Sequence, residues 1–339
     1  MRLSHMIRAA AAAVLVLSAG SLFAQQRVVY VEGDPTLKRA SRSLQMRPGQ
    51  DLNSGDRIST GIGDMVELQQ GEGNSITIHP NTTFSISELS VDGSTERQLT
   101  TSRGAASFRF TRPGGSRRIG TATTAAGVRG TEFTVFSGMD GAALYVVTHG
   151  LVAVESRGVT VEVAADQAVE VAPDQPPGEV VSRIGREQDF SDWNGQRLDA
   201  FLQDPQGTMH GLTEQLVRFA RQMEQTHIEY LHSRAQLEAA RERMKELQQE
   251  DQQEFEEYRS EVVFPLASNT ANLFLNSRYY ALSALSLRRH VAGTLYLQAK
   301  ARALLEPDSQ WSSYLAEDHA FFLQQFETRI IPLLEDDDF

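Results

Sequence analysis

The hydrophobic period changes once along this chain, and that change limits the fold more than any other feature. Up to about Pro173, apolar residues return at every second position, in short runs. From Glu187 onward they return at three and four. Period two marks a strand with one buried face, and a three–four period marks a helix. The sequence therefore predicts an all-β N-terminal domain, solenoid-like or sandwich, followed by an all-α helical hairpin or bundle. A length of 339 residues agrees with two domains, at about 150 residues each.

The β signals begin at Val28-Val29-Tyr30-Val31, which ends in the turn cluster Glu32-Gly33-Asp34-Pro35. Val66 and Leu68, Ile76 and Ile78, Phe84 and Ile86, and Ala106, Phe108 and Phe110 keep returning an apolar face. Tyr145 and Val147, Val152 and Val154, Val161 and Val163, and Val169 and Val171 continue it. Glycine-centred turns separate these runs, which is the spacing of an all-β domain. Sandwich, barrel and solenoid all fit that spacing, and the lack of an evident long Greek-key connection favours stacked coils.

The stretch Thr121 to Val135 organises this half. Phe133 and Val135 fall on one face, and Glu132 and Thr134 on the other. Gly127 and Gly130 bracket Val128-Arg129 and predict a sharp corner between two strands. Arg129 at that corner is suited either to tie neighbouring turns or to contact a partner. The glycine spacing matches neither a P-loop nor a dinucleotide fingerprint.

Three blocks together carry a resemblance. They are Gly55-Asp56-Arg57-Ile58-Ser59-Thr60-Gly61, preceded by Leu52, then Val128-Arg129-Gly130-Thr131-Glu132-Phe133, then His149-Gly150-Leu151-Val152. In this order they are similar to the FecR-type periplasmic domain, from about Val28 to Val171. The resemblance implies a β-rich, solenoid-like domain outside the cytoplasm. In family members that regulate iron uptake, it implies reception of a signal by contact with an outer-membrane transporter. Those regulators carry a cytoplasmic segment and one membrane-spanning helix before the domain. Here a cleavable signal stands in their place, so no direct link to a sigma factor is implied.

Pro173, Pro176, Pro177 and Gly178 break regular structure and mark a linker over 174–186. In the helical part, Leu216, Met223, Tyr230, Leu237 and Met244 fall seven apart, and Phe219, Thr226, Ser233, Ala240 and Leu247 lie three after each. This a/d seam predicts a long helix. Small residues along it favour an intramolecular partner, expected over Thr270 to Leu305, capped by Ser268 or Asn269 after a break at Pro265. Pro307 should stop that helix. Trp311 to Leu334 predicts a shorter closing helix, and 336–339 an acidic solvated tail.

The domain boundaries read from the sequence are a signal peptide over 1–24, the β domain over 27–173, the linker, and the helical domain over 187–335. Arg2 and Arg8 precede the apolar run Ala9 to Ala19, and cleavage is expected near Ala24. The expected location is the periplasm or the exterior. No later stretch is long and apolar enough to predict a transmembrane helix in the mature chain. The chain contains no cysteine, which excludes disulfides and thiolate chemistry. A net charge of −12 argues against nucleic acid as a partner, although Arg117 and Arg118 mark a local cationic patch.

No catalytic motif is found. The pairs Glu224/His227 and Glu229/His232 each share a helix face, but both lie on one helix and lack the second Glu-x-x-His helix of a di-metal site. His79 and His149 sit at strand ends. No catalytic residue, cofactor or metal is therefore assigned. The family-motif residues Val128, Arg129, Gly130, Thr131, Glu132, Phe133, Gly55, Asp56 and Gly61 are the candidates for a structural role or a partner contact. The function read from the sequence is an exported, non-enzymatic binding or signal-sensing module of the cell envelope. Its partner would be an envelope protein or cell-wall polymer, with self-association through the helical part left open. The alternative is a structural envelope scaffold without a signalling role.

Overall fold

A computed structural model of the protein describes residues 26–71, 73–91, 94–111, 117–128, 130–184, 190–307 and 309–335. The expected signal peptide, the acidic tail and Arg129 lie outside the described residues.

The strands are β1 (Gln26–Glu32), β2 (Thr36–Arg39), β3 (Arg42–Gln45), β4 (Asp51–Leu52), β5 (Arg57–Ser59), β6 (Met65–Gln70), β7 (Asn74–Ile78) and β8 (Thr83–Val91). They continue as β9 (Ser94–Phe110), β10 (Arg117–Gly120), β11 (Ala125–Val128), β12 (Glu132–Ser137), β13 (Ala143–His149), β14 (Leu151–Ser156), β15 (Val159–Ala164), β16 (Gln167–Val171) and β17 (Val181–Ser182). One layer runs β1-β6-β7-β9-β12-β13-β16-β17, with antiparallel neighbours. The other runs β3-β2-β5-β8-β9-β10-β11-β14-β15, where β9 and β10 form a parallel pair.

Strand β9 belongs to both layers. Its first part pairs with β8 and β10, and its last part with β7 and β12. The change of layer falls at Gly104, where φ is +87°. A Cβ there would meet Thr82 Cα at 2.6 Å and the Asn81 carbonyl oxygen at 2.7 Å, so only glycine fits.

The layers enclose one core, because the period-two faces of both point inward. Val66, Leu68, Ile76, Phe108, Phe133, Tyr145 and Val169 come from the first, and Leu37, Ile58, Phe84, Leu99, Val152 and Val163 from the second. The chain passes between the layers again and again, so its hairpins stack along one axis. Stacking of this kind was the expectation for coils, while the enclosed core is that of two packed sheets.

The helices are α1 (Phe190–Gln203), α2 (Pro205–Glu250), α3 (Gln252–Tyr258), α4 (Phe264–Arg289), α5 (Tyr296–Leu305), α6 (Gln310–Ser313), α7 (His319–Arg329) and α8 (Ile331–Leu334). π-Helical turns at Arg259–Val263, His290–Leu295 and Tyr314–Asp318 join several of them. The heptad seam lies on α2, where Leu216, Phe219, Met223, Ser233, Leu237, Ala240 and Leu247 are buried. Asp204 caps this helix by accepting from Gly207 N at 2.8 Å. The partner α4 lies alongside within the same chain.

The expected break at Pro265 does not occur. The backbone stays right-handed helical through Tyr258, Arg259, Val263 and Phe264. Proline lacks an amide donor, and the π turn just before it already reroutes the hydrogen bonds, with Phe264 N reaching Arg259 O. The cap candidates Ser268 and Asn269, and the expected first residue Thr270, are therefore all interior to the helix. Asn269 and Thr270 are not left unpaired. Both bond instead to Ser233 of α2, at 3.2 and 2.8 Å. The stop near Pro307 does hold, since α5 ends at Leu305.

The helices are not a separate appendage. Ala122 and Met139 of the β part share a core with Leu212, Leu216, Leu287, Val291 and Phe322. On the outer face of the first layer, Trp193 of α1 packs with Ala142, Leu144, Ala168 and Phe136. The connector is tied down as well. Gly178 N donates to Glu170 O at 2.9 Å, and β17 pairs with β16.

Candidate functional site

The family-motif residues fall into two groups that the fold does not bring together. The first surrounds Asp56, which is buried on the loop before β5. Arg39 of β2 holds its carboxylate through Nε and Nη2, at 2.8 and 2.6 Å. Asn53 N donates to it at 2.8 Å. Gly55 has φ +89° and donates to Ile86 O, and Gly61 N donates to Asp64 Oδ2 at 2.7 Å. These contacts close the turns between strands on themselves.

The second group is the corner between β11 and β12. Gly130 has φ +61°. Its carbonyl faces Gly150, where an added Cβ would lie only 2.6 Å away, so the His149-Gly150 block needs its glycine for close approach. Thr131 is buried, and its carbonyl accepts from Phe110 N at 2.8 Å. Phe133 stacks on Phe108 with centroids 5.1 Å apart. Glu132, on the opposite face, pairs with Arg109 at 3.1 Å in solvent. Val128 packs half-buried against the main core.

That corner opens on a cleft of about 370 Å³. Gly127, Val128, Ala153 and Thr160 form the sheet wall, and Asn276 of α4 forms the opposite wall. Arg118 bridges the two by donating to Asn276 Oδ1 at 2.9 Å and standing 4.6 Å over the ring of Tyr279. Burial pushes the Tyr279 phenol well up, and the carboxylate of Glu155 adds to that shift. The phenol thus stays neutral, as a donor and an apolar wall. A second cavity, of about 240 Å³, lies further along the same seam between β14, α2 and α4.

The patch at Arg118 was legible in the sequence. Glu155, Asn276 and Tyr279 were not, because each lies more than 30 residues from it and no local period links them. Arg218 and Arg221, three apart on one helix, left a signal that can be read only once the seam is known.

The outer face of the first layer carries a third opening, of about 620 Å³, beside α1. There His79 Nε2 lies 2.7 Å from Ser107 Oγ, which lies 2.9 Å from Thr134 Oγ1. Burial lowers the His79 pKa. Among the described residues no carboxylate pairs with this imidazole, which leaves the arrangement without the acid of a hydrolytic triad. His149 is exposed at the end of β13. His227 is buried on α2 beside the Tyr230 ring, and His232 contacts Gln236 at 3.1 Å.

Residues 56–153 match the family model described as FecR protein. The match therefore takes in Asp56 and Gly61 of the first motif group and all of the second, while Gly55 and Arg39 lie before it. Two crystal structures of a putative anti-sigma factor from Parabacteroides distasonis ATCC 8503 are similar to part of the chain. One is 19% identical with a TM-score of 0.33, covering 40% of this chain and 63% of its own. The other is 20% identical with a TM-score of 0.32, covering 43% and 64%. The chain thus spans less than two thirds of the length of either. No curated protein matches it. No described helix is long and apolar enough to cross a membrane.

Proposed function

We propose that the chain is an exported, non-enzymatic module of the cell envelope that senses or binds a partner by protein–protein contact. The observation that carries this reading is the place of the FecR-type corner. Gly127 and Val128 sit on the lip of a cleft whose far wall is the helical part. A partner segment entering there would touch the family motif and α4 at once, and so would read both parts of the chain. The basic start and apolar run before Ala24, read as a leader, and the match to the FecR model support an envelope location. Signalling through such a contact needs no catalytic group.

A photo-crosslinking residue at the exposed Thr160, in cells, tests the reading. It should give one dominant adduct with an envelope protein. Gly127→Trp should abolish that adduct, because a Cβ there meets no atom within 4 Å and the ring would project into the cleft; an unchanged melting temperature checks that the variant is folded. An uncleaved chain in the cytosol, or an adduct indifferent to the tryptophan, would overturn the proposal. The rival reading, a structural scaffold, draws on the exposed Leu297, Leu304 and Leu305 of α5. It predicts self-association and binding to cell-wall preparations in place of a single adduct.

A further inference from the structure

The smaller cavity of the seam has a chemistry of its own. It lies where the tight turn after β14 meets the middle of α2 and the Tyr279-Tyr280 step of α4. Arg157 enters from the turn, and Arg218 and Arg221 from successive positions on one face of α2. The lining offers a single carboxylate against them, Glu155.

Of these arginines, Arg218 is the one with ion-pair partners among the described residues, and it also donates to Gln215 Oε1 at 2.7 Å. Arg218 is bound to Asp174 of the connector and has Glu214 at 3.8 Å. Arg157 donates through Nη1 to the backbone carbonyl of Asp174 at 2.9 Å. Among the described residues, neither Arg157 nor Arg221 has an ion-pair partner. Burial lowers the Arg218 pKa, and the like charges of Arg157 and Arg221 lower it further, which sets both of them close to Arg218. Arg157 takes positive φ, +54°, and Asp174 does so at +57°. Arg157 and Gly158, the latter at φ +75°, form the two-residue turn between β14 and β15, which sets the arginine beside the opening.

Aromatic side chains make up part of the remaining wall. Phe219 and Tyr280 lie with centroids 6.5 Å apart and planes tilted by 33°. Ser156 and Gln222 add neutral polar groups. A guanidinium offers two parallel N–H groups to a phosphate or carboxylate, and π faces accept a flat ring beside it. The volume suits one ring with one anionic group and little more.

We propose that this cavity is a binding site for a small aryl anion, an aromatic ring bearing a phosphate or carboxylate, held by Arg157, Arg218 and Arg221 against Phe219 and Tyr280. The cavity shares Glu155 with the cleft of the protein contact proposed above, but its arginines do not line that cleft, so the proposal stands or falls without that contact.

Calorimetric titration of the full chain with phenyl phosphate, benzoate and inorganic phosphate tests the proposal. Phenyl phosphate should bind saturably, one per chain, and more weakly as salt rises. Benzoate should compete for the same site. Inorganic phosphate, which lacks the ring, should bind about fivefold more weakly or worse. Arg157 and Arg221 are both exposed, so Arg157→Gln and Arg221→Gln should melt like the parent chain. Together they should weaken phenyl phosphate by about tenfold or more. No saturable heat from phenyl phosphate, or binding unchanged in the double variant, would overturn the site. Equal affinity for inorganic phosphate would refute its aromatic half. Displacement of phenyl phosphate by an acidic peptide alone, with no effect of benzoate, would assign the arginines to a protein ligand and overturn the small-molecule reading.

Discussion

Arg39 closes on the buried carboxylate of Asp56 through two hydrogen bonds, 2.8 and 2.6 Å long. The clamp joins the β2–β3 hairpin to the loop before β5, and Asp56 is only 1% exposed. Removing the arginine leaves a charge that water cannot reach well. Arg39→Ala should cost about 2–4 kcal/mol, less than a dry pair because the guanidinium is partly in solvent. Arg39→Lys should recover little, since a single ammonium cannot replace the fork. Chemical denaturation of the variants measures both. An Arg39→Ala chain as stable as the parent would mean that the clamp is incidental.

Phe133 carries the inward face of the family motif. It is 1% exposed and stacked on Phe108. Phe133→Ala should destabilise the chain by about 3–5 kcal/mol, through lost transfer energy and a cavity that the stacked ring cannot close. An unchanged melting temperature would refute its place in the core.

Gly104→Ala tests the bend that lets one strand serve two layers. The added methyl group would collide with backbone atoms of Asn81 and Thr82, and the residue would also keep φ +87°. The expected cost is at least about 3 kcal/mol, because the backbone atoms in the way cannot turn aside even where the Thr82 hydroxyl could. Gly158→Ala serves as the control. Its φ is also positive, at +75°, but a Cβ there meets nothing within 4 Å, so its cost should be the smaller one of backbone strain alone. Equal losses would show that the close approach at Gly104 does not matter.

His290 couples acid to the seam. It is buried in a π turn, and its Nε2 lies 3.0 Å from Met139 O of the β12–β13 connection. Burial holds its pKa down at about 4, against 6.5 when unperturbed. Below 6.5 the unfolded chain takes up a proton that the folded chain refuses. Stability from this group is therefore complete above 6.5 and falls as pH drops towards 4, by roughly 3 kcal/mol. Burial lowers His79 and His319 in the same direction. Comparing the pH dependence of His290→Gln with that of the parent isolates the one residue. Identical slopes between pH 6.5 and 4 would remove it from the acid response.

Leu237 lies in a small outlying cluster with Ala240 and Val263, far along the hairpin from the sheets. Leu237→Asp should loosen that end of α2 and α4, and leave the shared core of Ala122, Met139 and Leu216 folded. Hydrogen exchange resolves the two regions. Loss of protection in the sheets as well would show that the hairpin unfolds as one unit with them.

Much of the fold could be read locally. Phe133 and Val135, or Leu216 and Met223, announce a buried face through their own spacing, because strand and helix periods are set by the backbone. The break assigned to Pro265 failed for a physical reason. A missing donor ends a helix only if the hydrogen bonds keep α spacing, and the π turn before it does not. The seam was not legible. Arg118 meets Asn276 across 158 residues, and His290 meets Met139 across 151.

The sequence by itself determined the two structural regimes and the motif blocks that match the FecR family, because both are written in neighbouring residues. Only the tertiary structure decided that the helices share a core with the sheets, that the motif corner faces α4, and that three arginines converge on one cavity. Side-chain partners so distant along the chain leave no periodic trace, since their meeting depends on how whole layers pack and not on the conformation of any one segment.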